Sequence, residues 1–340
     1  MSTFATLPPE ERELFFRQYQ QKHGVDPVIV EKDFWVCWLL ARIFEQPELA
    51  AACVFKGGTS LSKVFGAIER FSEDIDLAII PDSLGWKESD LEDASPSMRK
   101  KRVAELEAAC AVAVQTTWQP LLEKAVQAIL GPPSEREAWL VYRFEEAVRS
   151  PVLLFAYPGA LPRGVAYIAR EVKIEFGSLT DQRPKGRHPI QAFVADLAPG
   201  AFTDCKTEVV ALELERTFWE KATILHVEFH RPADKPMKDR HARHYADFAA
   251  LWRHGPAHSA RARLDLLERV RLHKSRFFAS GWANYAAAVP GTLRLTPPPD
   301  RIDALQADYE AMQQMFIGEH LPFEDVLATL KEAESTLNQT

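Results

Sequence analysis

The sequence predicts an α+β protein, with a lobe built on a small mixed sheet over residues 1–190 and a mainly helical C-terminal lobe over residues 191–340. Three observations predict it. Short runs rich in Ile, Leu, Val and Phe, bounded by Gly or Pro, fall between Cys53 and Phe176. From Glu213 onward apolar residues recur mainly at helical spacing. Between Gly177 and Gly200, Pro and Gly cluster, which marks the lobe boundary.

The elements follow in chain order. Pro8–His23 reads as a helix behind a Pro-Pro start, and Pro27–Glu45 as a second, with aromatic and aliphatic residues at helical spacing. Cys53–Lys56 is a short strand running into Gly57-Gly58. Thr59–Ile68 then reads as a helix with Leu61, Val64, Phe65 and Ile68 on one face, capped by Thr59 or Ser60. Asp74–Ile80 alternates as a strand and stops at Pro81. Ser97 to about Leu130 is charged and Ala-rich, which predicts a long helix. Val152–Ala156 and Gly164–Phe176 read as later strands. Helices are expected over Glu213–His230, Arg240–Trp252, Ser259–Leu272, Ile302–Ile317 and Phe323–Leu337.

Composition narrows the chemistry. The 340 residues are 46% hydrophobic and 26% charged, as in a globular protein. The longest apolar candidate, Phe34–Phe44, is interrupted by Arg42, so no membrane span is expected. The N-terminus lacks the basic start and apolar stretch of a signal peptide, and the expected location is the cytoplasm. Cys37, Cys53, Cys110 and Cys205 show no C-x-x-C spacing, which argues against disulfides and structural zinc. The ten histidines form no H-E-x-x-H pattern. Metal chemistry must then come from carboxylates, which suit a hard cation such as Mg²⁺, or Mn²⁺. A net charge of −7 provides no global attraction to nucleic acid, which leaves local basic grooves.

Three segments carry the chemistry. Asp74 and Asp76 are two apart on a strand, so they share a face with Cα atoms about 6.5–7 Å apart. The same spacing occurs on solvated surface strands, but here Ile75 and Leu77 imply a packed one. Ionised side by side, two carboxylates repel unless a cation neutralises them. Upstream, Lys56, Gly57, Gly58, Thr59 and Ser60 join a strand to a helix. Glycines there let backbone approach phosphate closely, and Lys63 adds a cation one turn on; the bland alternative is a tight turn. The G-x-x-x-x-G-K-[ST] spacing of a Walker A loop is absent. Downstream, Lys173 and Glu175 share a face at a strand end. Glu175 would join the two aspartates as a third metal-holding acid. Three acids and a Gly-rich turn are the parts of a two-metal phosphoryl or nucleotidyl transfer site.

These residues also carry a family resemblance. Lys56-Gly-Gly-Thr-Ser-Leu-Ser-Lys63 followed by Arg70-Phe-Ser-Glu-Asp-Ile-Asp-Leu77 resembles motif I of the AbiEii/AbiGii nucleotidyltransferase toxins, within the DNA-polymerase-β-like superfamily. Glu31-Lys-Asp-Phe-Trp35 resembles that family's N-terminal helix, and Lys173-x-Glu175 its second motif. Glu220-Lys221 falls where its third motif lies, and Arg243-His-Tyr-Ala-Asp247 is similar to its R-D-x-x-D fourth motif, with His244 at a position where aspartate is common. The resemblance implies a polymerase-β-like lobe that moves an NMP from an NTP to an acceptor, releasing pyrophosphate. It adds Asp247 to the catalytic set and Lys221 to the nucleotide-binding set. It also implies RNA, including tRNA 3′ ends, as acceptor, and a cognate antitoxin as partner. Transfer to a protein or small molecule, and a non-catalytic nucleotide-binding module, are the alternative readings.

Further candidates have competing structural explanations. The clusters Arg99–Arg102, Arg183–Arg187 and Lys235–Arg243 are either solvated faces or acceptor-binding surfaces. Lys274-Ser-Arg-Phe-Phe278 with Trp282 and Tyr285 interleaves basic and aromatic residues, as base-stacking surfaces and packed helices both do. Ser72 is a turn residue at which phosphorylation would place a dianion beside Asp74.

Overall fold

The computed structural model describes residues 1–87, 89–90, 95–134, 137–146, 148–161, 169–197 and 206–339. The chain divides into two compact units. One comprises Met1–Val64 with Ser72–Ala211, the other Phe65–Phe71 with Leu212–Thr340.

Among the described residues, the first unit is organised by a seven-stranded mixed sheet. Its strands are β1 (Cys53–Lys56), β2 (Ile75–Ile79), β3 (Leu140–Glu145), β4 (Ser150–Phe155), β5 (Val172–Gly177), β6 (Lys185–Gln191) and β7 (Lys206–Leu212), in the order β3-β4-β5-β2-β1-β7-β6. β1 runs antiparallel to β2, and β2 runs parallel to β5. The three central strands are apolar on their buried positions, with Val54, Phe55, Ile75, Leu77, Ile79, Val172 and Ile174 essentially inaccessible. The helix Pro27–Glu45 is buried continuously from Ile29 to Ile43, as a helix apolar on nearly every face must be.

Several expectations are refined. The helix after β1 begins at Gly57 and ends at Lys63, not over Thr59–Ile68. Gly57 opens it with φ +85°, a left-handed conformation that only glycine adopts without strain. Thr59 and Ser60 therefore lie inside the helix and do not cap it. The long helix predicted to Leu130 is present as Pro96–Ala113 and Gln119–Leu130, joined by a π-helical stretch at Val114–Trp118. Pro120 lacks an N–H for the α-helical ladder, which accounts for the local change of pitch. Part of the strand expected over Gly164–Phe176 lies outside the described residues, and the described part is β5. β3, β6 and β7 had no sequence expectation. β6 and β3 are the two edge strands, and β6 carries Pro189 and alternating exposed charge, features that edges tolerate. Because β6 and β7 continue the sheet, the first unit extends to Ala211, beyond the Pro- and Gly-rich stretch.

The second unit is helical. Leu214–Phe229, Ala242–Arg253, Leu264–Phe277, Ile302–Ala311 and Phe323–Asn338 are its main helices. Phe218, Trp219, Phe248 and Trp252 form its aromatic centre, and the Trp219 indole donates to the Ala260 carbonyl at 2.9 Å. The segment Phe65–Phe71 is stitched to this unit by its backbone. Phe71 N–H donates to Met315 O at 2.6 Å, and Ile317 N–H to Glu69 O at 2.8 Å. Among the described residues, no helix is long and apolar enough to cross a membrane.

Candidate functional site

The sheet register aligns the acidic residues of the first unit. Lys56 on β1 pairs with Asp76 on β2, and Asp76 pairs with Glu175 on β5. Paired residues on neighbouring strands lie on one face about 4.8 Å apart. Lys56, Asp76 and Glu175 thus form a row across the three central strands. Lys173, two residues before Glu175 on β5, belongs to the same face. Asp74 immediately precedes β2 and is close enough for Asp76 and Lys173 to act on its charge. Lys173 Nζ lies 2.7 Å from Glu145 and 3.7 Å from Glu175. These two acids keep it charged against the effect of burial.

The chain's own cations only partly offset the effects that raise Asp74 and Glu175. Burial first, then the neighbouring Asp76 and Glu73, push the Asp74 carboxyl up to about 6, with Lys173 and Lys32 opposing. Glu175 is raised by burial and by Asp76, while Lys56 and Lys173 act the other way. Gly57 packs directly on this set. A Cβ placed there would meet Asp76 Oδ2 at 2.1 Å. The positive φ favours glycine at this position, and any larger side chain would also have to displace the Asp76 carboxylate.

The remaining motif I side chains act inside the turn. Thr59 Oγ1 lies 2.9 Å from Ser72 Oγ and donates to the Asp74 carbonyl at 2.5 Å. Ser60 Oγ donates to the Gly57 carbonyl at 3.0 Å. Lys63, expected beside phosphate, has its Nζ buried 2.6 Å from Asp33 Oδ1 and stacked over Phe193. Its charge is used within the fold.

In the second unit, Asp247 is 1% exposed and receives a forked pair from Arg70, Nε at 2.7 Å and a terminal nitrogen at 2.9 Å. Lys221 Nζ lies 2.7 Å from the same carboxylate and 3.0 Å from His244 Nδ1. Burial alone would raise the Asp247 carboxyl. Arg70 and Lys221 reverse that and hold it well below the usual carboxylate range. His244 is kept neutral by burial and by the adjacent Lys221. Lys221 and Asp247, expected as nucleotide-binding and catalytic residues, thus meet as partners of one ion pair. Lys274 donates to the Glu220 carbonyl and Thr223, and Trp282 lies under Arg231 and Lys235.

A family model for the AbiEii nucleotidyl transferase toxin of type IV toxin–antitoxin systems matches residues 38–329. The chain belongs to this family. As an AbiEii-family protein it is a nucleotidyltransferase toxin, and the family implies a cognate antitoxin. Among solved structures it matches the nucleotidyltransferase toxin MenT4 from Mycobacterium tuberculosis H37Rv at 14% identity, covering 96% of this chain and 98% of that one, with a TM-score of 0.45. A search of curated proteins found no match.

The site of this AbiEii-family chain suits a hard divalent cation in its donor chemistry. Its three acids offer only oxygen ligands. Burial, with the neighbouring Asp76 and Glu73, raises the Asp74 carboxyl, and a cation would offset both effects. Among the described residues, however, no three His, Cys, Asp or Glu side chains stand close enough to hold an ion as placed. The sequence reading missed Lys32, Asp33 and Glu73 as residues of this neighbourhood. Their available signal was a charged triplet, Glu31-Lys32-Asp33, inside the most apolar helix of the chain.

Proposed function

We propose that this toxin transfers a nucleoside monophosphate from an NTP to an RNA acceptor, with the tRNA 3′ end preferred, and releases pyrophosphate. Asp74, Asp76 and Glu175 would hold Mg²⁺, with Mn²⁺ as a substitute. The observation that carries this reading is the row Lys56–Asp76–Glu175, flanked by Asp74, on adjacent central strands. The cation would neutralise triphosphate charge and polarise the reacting phosphorus. Lys56 lies on the β1 side of the row and supplies a positive charge for a phosphate oxygen. Gly57 and Gly58 leave backbone open to the triphosphate. One carboxylate of the row takes the proton of the acceptor hydroxyl. Thr59, Ser60 and Lys63 serve the nucleotide by holding the turn, through the bonds described above. Lys221 and Asp247 serve the second unit as a buried pair. The RNA acceptor and the cytoplasmic location rest on the sequence reading.

The test is incubation with each α-labelled NTP and Mg²⁺ alongside separate total RNA, protein and metabolite fractions. Label is expected in RNA, and lost in Asp74→Ala and Asp76→Ala, by about a thousandfold or more. Label confined to protein or metabolites would replace the acceptor. Wild-type transfer by both variants would remove the metal assignment.

A further inference from the structure

The helix Pro27–Glu45 holds three consecutive charged residues where nothing charged is expected. Glu31, Lys32 and Asp33 are 1%, 2% and 1% exposed. Charges so deep need partners, and theirs are specific. Lys32 Nζ lies 2.5 Å from Glu73 Oε2 and donates to the Ala169 carbonyl at 3.0 Å. Glu73 immediately precedes Asp74. Asp33 Oδ1 lies 2.6 Å from Lys63 Nζ, while Asp33 Oδ2 accepts from Phe193 N–H at 2.7 Å. Lys63 closes the short helix that begins at Gly57-Gly58. Two adjacent residues of one buried helix therefore grip the two segments that frame the acidic row.

We propose that Lys32 and Asp33 are positioning residues for nucleotidyl transfer, Lys32 fixing the approach to Asp74 through Glu73 and Asp33 fixing the Gly57–Lys63 helix through Lys63. The proposal rests on the transfer site proposed above. Both residues precede the matched span 38–329. A site of repelling carboxylates cannot hold its own geometry, because each acid gains by moving away from the others. Something outside the set must fix it. A wholly buried helix is a rigid base for that purpose. Misplacement by about 1 Å lowers rates on the order of a hundredfold.

The experiment uses the full chain and the variants Lys32→Met, Lys32→Arg, Asp33→Asn, Glu73→Gln and the double variant Lys32→Met/Glu73→Gln. NMP transfer is measured as kcat and as KM for NTP. Mg²⁺ affinity is measured by calorimetry with a non-hydrolysable NTP analogue. Lys32→Met is expected to lower kcat about a hundredfold, with KM for NTP changed by less than about threefold. Mg²⁺ affinity should weaken by about tenfold. Lys32→Arg should recover most of both losses. The double variant should be no worse than Lys32→Met, because both changes break one contact. Asp33→Asn should lower kcat in the same direction. Folded Lys32→Met or Glu73→Gln with wild-type kcat and Mg²⁺ affinity would overturn the proposal, as would a loss confined to melting temperature. Should Lys32→Met fail to fold, Glu73→Gln carries the same comparison. Asp74→Ala separates the two readings. If it retains transfer, the site reading fails and the positioning role with it. If it loses transfer while Lys32→Met and Glu73→Gln keep theirs, only the positioning role fails.

Discussion

In the sheet unit, Asp74 and Glu175 both neighbour Asp76, with burial and mutual repulsion raising Asp74 and Glu175. In the helical unit, Asp247 is more deeply buried, yet Arg70 and Lys221 hold its carboxyl well below the ordinary range. The residue type is the same, and the difference lies in who supplies the cation. Asp247 has two cationic partners from its own unit, so its charge is compensated internally. Lys173, Lys32 and Lys56 compensate Asp74 and Glu175 only in part, so an external cation gains most there.

The contrast can be attacked where it predicts the largest stability effect. Asp247→Asn leaves Arg70 and Lys221 buried against a neutral amide, which should destabilise the protein by about 3 kcal/mol or more. Urea denaturation reads this directly, and a change under about 1 kcal/mol would mean that the charge is not compensated internally.

Acid should act on the helical unit next. Burial pushes His226 and His241 each down to about 4. Arg294 N–H donates to His226 Nδ1 at 3.1 Å, so protonation at that nitrogen would also break a bond. A histidine lowered in the folded state stabilises above its unfolded value of about 6.5 and loses that contribution as pH falls toward 4. The expected loss is about 2 kcal/mol per histidine by pH 5. Hydrogen exchange between pH 7 and 5 should show faster opening of Leu214–Phe229. His226→Asn and His241→Asn should flatten the response, and an unchanged pH slope in them would reject the assignment.

A smaller effect is expected at the glycine that touches the acids. Gly57→Ala puts a side chain at positive φ and onto Asp76 Oδ2, for a loss of about 1–2 kcal/mol. Transfer should fall with it, and Gly24→Ala, with open space around its Cβ, serves as the reference for φ alone. Equal losses at both positions would show that the carboxylate contact adds nothing. The smallest effect sharpens the contrast most. Asp74→Asn removes one of the repelling carboxylates, so in EDTA it should stabilise, by less than about 1 kcal/mol. A destabilisation as large as that of Asp247→Asn would erase the distinction.

Much of this was legible from residues alone. β1 and the helix Pro27–Glu45 occupy their expected ranges, and β2 is one residue shorter at each end. Edge strand β6 was not legible, because Lys185–Gln191 carries no apolar alternation and reads as a charged loop, whereas β3, Leu-Val-Tyr-Arg-Phe-Glu, does carry strand-favouring residues and was overlooked. Asp74, Asp76 and Glu175 were singled out by spacing, and Gly57 by its place between strand and helix.

The sequence by itself determined the periodicities, the i and i+2 spacing of acids on a strand, and the family, since these are properties of local chain geometry and residue order. Only the tertiary structure decided the partners. It paired Asp76 with Glu175 across β2 and β5, although they lie far apart in the chain. It assigned Lys63 to Asp33 and Lys221 to Asp247, where sequence suggested phosphate. A charge's role depends on what lies within a few ångströms and on how much water remains, and neither follows from local order.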